Sequence, residues 1–88
     1  MIINIEHLKK KIIYRSNYRG TKEMDILLSS FANKYIDVIN DSELSLLCDL
    51  LDFGDEDLYK FNQGQKTSIE IKQNRITDLF KAFVYKKQ

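Results

Sequence analysis

Met24-Asp25-Ile26-Leu27-Leu28-Ser29-Ser30-Phe31-Ala32-Asn33-Lys34-Tyr35 is the stretch that decides the fold. Met24, Leu27, Leu28, Phe31 and Tyr35 recur at i, i+3, i+4, i+7 and i+11, which is the repeat of one face of an α-helix. The pattern predicts an amphipathic helix over roughly residues 21–36. Just upstream, Gly20 breaks the periodicity; glycine readily takes the left-handed conformation past a helix end, so a hinge is expected there. Beyond the hinge, Ile5, Leu8 and Ile12 with Ile13 beside them predict a first helix over residues 5–16, its other face carrying solvated Lys9, Lys10 and Lys11.

Downstream, Asn40 and Glu43 have the spacing of a capping box, and Leu44, Leu47, Cys48 and Leu51 give the apolar stripe of a third helix that ends near Gly54. Asp55 is read as the cap of a short fourth helix that turns Leu58 and Phe61 inward, with a loop over Asn62 to Lys66. Thr67 and Glu70 repeat the capping-box spacing and predict a final helix to about residue 84 carrying Ile69, Ile76, Leu79, Phe80 and Phe83. The expected fold is therefore all-α, a single five-helix antiparallel, bundle-like domain over residues 1–88. Its core is expected to unite Leu27, Leu28, Phe31, Leu47, Leu51, Leu58, Ile76, Leu79, Phe80 and Phe83.

Composition narrows the function classes. The chain has 88 residues, no proline and three glycines, too little for a second domain and too few turn residues for a many-stranded sandwich. A domain of this size has little room for a deep pocket and no glycine-rich phosphate loop, so neither a catalytic residue nor a tightly bound cofactor is expected. Nucleophilic catalysis would rest on His7 alone, which lacks an orienting partner and is expected at the surface. The single cysteine, Cys48, sits on an apolar stripe as a small hydrophobe and suits a reducing compartment. Asp52, Asp55 and Asp57 lack the spacing of a calcium loop. The run from Met1 to Asn17 does not read as a secretory signal, and stretches such as Ile26-Leu27-Leu28 are far short of the roughly 20 apolar residues of a membrane span. A soluble monomer without membrane insertion is expected.

Charge is distributed in three opposed blocks: +4 over residues 1–34, −8 over 35–57, and +5 over 58–88. Such blocks either steer a charged partner or follow from acidically capped middle helices, and the second reading is favoured. The acidic block, and the acidic opening of the second helix at Glu23 and Asp25, argue against nucleic acid.

The segment Tyr14-Arg15-Ser16-Asn17-Tyr18-Arg19-Gly20-Thr21-Lys22-Glu23 gathers two arginines, two tyrosines, a glycine corner and a carboxylate between two apolar-striped helices. These residue types are enriched where proteins bind proteins. On a purely local reading, Gly20 caps the first helix and Glu23 pairs with Arg19, an exposed pair expected to contribute about 0 to 1 kcal/mol.

Tyr14-Arg15-Ser16 followed by Arg19-Gly20-x-x-Glu23-x-Asp25, with Leu28 and Phe31 after it, resembles the FAD assembly factors of succinate dehydrogenase. Leu50-Leu51-Asp52-x-x-Asp55-x-Asp57-Leu58-Tyr59 resembles a second block of the same family, and the likeness spans residues 8–83. The resemblance implies a five-helix protein, not an enzyme, that binds the flavoprotein subunit of succinate dehydrogenase, often also that of fumarate reductase, and promotes covalent attachment of FAD. FAD is then handled by the client protein, whose own histidine is held against the flavin, and the setting implied is a bacterial cytoplasm. By that resemblance Arg19, Gly20 and Glu23 engage the partner, with Arg15, Ser16 and Asp25 as secondary candidates. Tyr18, Thr21 and Phe61 depart from the family pattern, where a basic residue, a larger apolar residue and tryptophan are usual. An antitoxin-like protein and a general helical adaptor are the alternatives for the same surface.

Overall fold

The computed structural model describes residues 4–84. Five helices follow one another: α1 Ile5–Asn17, α2 Lys22–Tyr35, α3 Asp41–Leu50, α4 Asp55–Asn62 and α5 Arg75–Ala82. Four of them begin at a side chain that accepts a first-turn amide: Asn4 for α1, Thr21 for α2, Asn40 for α3 and Asn74 for α5. The Asn40/Glu43 capping box is formed as expected, each side chain bonding the other's backbone N–H at 2.9 Å.

α1 and α2 run antiparallel, since Lys9 near the start of α1 meets Asp37 past the end of α2. α3 packs on α1, and α5 closes the molecule against α3 and α4. Ile12, Leu28, Phe31, Ala32, Leu47, Leu58, Ile76 and Phe80 are wholly buried in one cluster. Of the expected core, Leu79 and Phe83 stand half-buried at its edge. Phe31 is its centre, with the rings of Tyr35, Phe80 and Phe83 at 5.1, 5.1 and 5.3 Å. Every buried side-chain nitrogen and oxygen among the described residues has a hydrogen-bond partner.

Three local expectations are corrected. The final helix begins at Arg75, not Thr67: Asn74 and Thr77 form the capping box, while the Thr67 hydroxyl turns to the Ile69 carbonyl and Ser68 is drawn to Asp57 on α4. With its donors so engaged, the segment before Asn74 stays irregular and Ile69 lies exposed. The cap position of α4 is Gly54, and Asp55 is the first helical residue with its carboxylate turned to another element. The left-handed glycine is Gly64, φ 74°, not Gly20. Gly64 closes α4 with the Gln65 amide donating to the Lys60 carbonyl and its own to that of Phe61, the paired bonds of a Schellman ending.

Candidate functional site

The α1–α2 connection, residues 18–21, lies against the α3–α4 turn, where α3 ends without a basic residue of its own. The last carbonyls of any helix lack intrahelical donors and carry the negative end of its dipole. Here the donors come from α1 and the corner after it. Arg15 Nη2 donates to the Leu51 carbonyl at 3.0 Å and to Asp52 Oδ1 at 2.6 Å, while its Nη1 reaches the Cys48 carbonyl at 3.4 Å. Bonding and attraction from Asp52 hold the Arg15 guanidinium above its ordinary pKa, against the opposing effect of partial burial. Arg19 donates from Nη1 to the same Leu51 carbonyl at 2.9 Å, from Nη2 to the Phe53 carbonyl at 2.8 Å, and from Nε to Asp55 Oδ1 at 2.8 Å. Both lone pairs of the Leu51 oxygen are thus filled by arginines.

The structure gathers the six expected partner-binding residues around this corner, but it does not turn them all outward. Arg19 is folded inward, with its side chain only 10% exposed, because three acceptors converge on its fork; it pairs with Asp55, not Glu23. Ser16 is wholly buried, its hydroxyl donating to the Ile12 carbonyl one turn back, so it offers no contact surface. Asp25 is half-buried and accepts the Arg19 amide. Arg15 is half-buried and occupied as described. Gly20 is exposed, and a Cβ there would stand 3.1 Å from Asp55 Oδ2. Glu23, on the first turn of α2, faces solvent and makes no ion pair among the described residues.

Two shallow grooves meet at Glu23 and Tyr59. One, of about 410 Å³, continues to Leu27, Asn62 and Phe83; the other, of about 390 Å³, continues to Thr21, Met24 and Asp55. Tyr14 and Tyr18, both exposed, hold their rings 4.7 Å apart and tilted by 43°. The exposed residues around the corner are Tyr14, Asn17, Tyr18, Gly20, Thr21, Lys22 and Glu23. The block from Leu50 to Tyr59 is visible in the sequence, but that Leu51, Phe53 and Asp55 receive the arginines is not. The available signal was a pair of arginines four apart, one on α1 and one in the connection after it, and the lack of any basic residue from position 35 to 57.

Asp52, Asp55 and Asp57 point to three different partners, Arg15, Arg19 and Ser68. His7 is exposed, and Cys48 is a half-buried free thiol packed on the core. No helix among the described residues is long and apolar enough to cross a membrane.

Residues 10–84 match the model of a protein family described as flavinator of succinate dehydrogenase. The chain is similar to succinate dehydrogenase assembly factor 2-B, mitochondrial, of Drosophila mojavensis, with 34% identity over 82 residues that cover 91% of this chain and 52% of that protein. Succinate dehydrogenase assembly factor 2, mitochondrial, of Meyerozyma guilliermondii is 44% identical over 54 residues, 61% of this chain and 40% of the relative. The like-named protein of Danio rerio is 31% identical over 77 residues, 85% and 49% of the two chains. The chain spans about half the length, or less, of these curated relatives. No solved structure matches it.

Proposed function

The chain belongs to the family of flavinators of succinate dehydrogenase, and from that premise we propose that it binds the flavoprotein subunit of succinate dehydrogenase and promotes covalent attachment of FAD to it. The observation that carries the reading is the family match over residues 10–84. The geometry supports it: both sequence blocks of the family resemblance meet in one corner, whose exposed residues include Glu23, Lys22, Gly20 and two tyrosines. Such a surface suits a polar, transient protein contact. A helper of this kind acts by positioning, holding the client where its own groups reach the flavin, and needs no nucleophile or cofactor of its own. By the same proposal the protein works as a monomer, leaves FAD to its client, and acts in the bacterial cytoplasm, a reducing compartment that suits the free thiol of Cys48.

Reconstitution tests this directly. Apo-flavoprotein subunit is incubated with FAD, with and without the chain, and covalent flavin is read by fluorescence of the denatured band. The chain should raise the yield, and Glu23→Ala should lower it while shifting stability by no more than about 1 kcal/mol, the value of a carboxylate at a helix N-terminus. Equal flavinylation with and without the chain removes the proposal.

A further inference from the structure

The Arg19 side chain is spent within the molecule. Its Nε, Nη1 and Nη2 each have an acceptor within 2.9 Å, and these acceptors lie 32 to 36 residues away on the α3–α4 turn and the first residue of α4. Its main-chain N–H meanwhile donates to Asp25 Oδ1 on the first turn of α2. One residue therefore ties the start of α2 to the end of α3. The Asp55 carboxylate is the counterpart: Oδ1 holds Arg19, and Oδ2 faces Gly20 so closely that a Cβ there would lie at 3.1 Å, a contact that the carboxylate relieves only by giving way by a few tenths of an ångström. A side chain at position 20 and a lost Asp55 carboxylate would disturb the same ion pair.

We propose that Arg19 and Asp55 are positioning residues: their ion pair fixes the backbone of residues 18–21 and the first turn of α2 in the attitude that presents Glu23, and neither side chain touches the partner. Gly20 belongs to the same device, its bare Cα leaving room for the Asp55 carboxylate. This rests on the reading of the corner as the flavoprotein contact. It separates two residues of the Arg-Gly-x-x-Glu pattern by role, with the arginine acting inward and the glutamate outward.

A double-mutant cycle on partner binding distinguishes the roles. Arg19→Ala, Asp55→Ala and the double variant are titrated calorimetrically into apo-flavoprotein subunit, at a temperature where far-UV circular dichroism shows each variant folded. If both residues act through one ion pair, each single change weakens binding by about tenfold and the double variant binds no worse than the weaker single one, because residues of one network do not add. Losses that multiply instead would mean that Arg19 reaches the partner independently, and the proposal would be overturned. Amide exchange of the free chain gives a second reading. Asp55→Asn, which keeps the shape and removes the charge, should speed exchange at the Arg19 amide and leave the Phe31 amide unchanged. An unaltered Arg19 amide overturns the positioning role even if the unmodified chain fails to bind flavoprotein, a result that would by itself remove only the functional reading.

Discussion

Arginine's planar fork explains why position 19 carries that residue and not lysine. The guanidinium delivers three parallel demands, to Leu51, Phe53 and Asp55, that a single ammonium on a flexible stem cannot meet together. Arg19→Ala leaves two carbonyls and a carboxylate without their donor in a largely buried setting. Since hydrogen bonds to charged groups are worth about 1.5 to 3 kcal/mol and breaking a buried pair costs more than an exposed one, a loss of about 3 kcal/mol is expected. For a domain of this size that is a fall in Tm of roughly 12 to 24 °C, measured by thermal denaturation. An unchanged Tm would return Arg19 to the exposed-pair reading. The sequence marks Arg19 as special through its setting beside Gly20, but the destinations of its donors lie across the fold, where no local spacing points.

Helix ends tell a similar story one level up. α3 is closed by arginines from α1 and the corner after it, and α5 by Asn62 of α4, whose side-chain amide donates to the Phe80 and Phe83 carbonyls at 2.8 and 2.9 Å. The cap of α3 was legible because its partners Asn40 and Glu43 sit three residues apart, although the box of Asn74 and Thr77, with the same spacing, was not picked out. The same spacing misled at Thr67 and Glu70, because Ser68 between them is claimed by Asp57 through its amide at 2.9 Å and its hydroxyl at 2.8 Å. Those bonds, the amide's first, hold the Asp57 carboxyl below the ordinary aspartate value of 3.8. The folded protein thus binds that proton more weakly than the unfolded chain. The stabilisation is complete above the unfolded value and lost as pH falls through the lower folded one. The Ser68 amide resonance should titrate with a midpoint below 3.8, and Asp57→Asn should abolish the step. A midpoint at or above that value contradicts the anchor.

Across the whole molecule the three charge blocks prove to be complementary parts of one surface. All five ion pairs among the described residues take their carboxylate from residues 35–57: Asp37 with Lys9, Glu43 with Arg75, Asp52 with Arg15, Asp55 with Arg19, and Glu56 with Lys60. The acidic band is largely consumed in joining the basic ends to the middle, a role that neither reading of the blocks from composition named and that only the fold could assign. The core was the most legible part, since helical periodicity reports burial directly: Leu47, wholly buried on the α3 stripe, sits where the repeat put it. Leu47→Ala should cost about 2 to 5 kcal/mol, read as a lower urea midpoint, a large share of the roughly 5 to 15 kcal/mol that holds a domain together. The inward arginine has one more consequence, for proteolysis. The exposed link between α1 and α2 is the kind of chain where nicking concentrates, yet trypsin must draw the arginine side chain out into its own pocket, and that of Arg19 is held at three atoms. Trypsin should therefore cut first after Lys66 and Lys72 in the irregular segment before α5, and cleavage after Arg19 should appear only once that grip has been released.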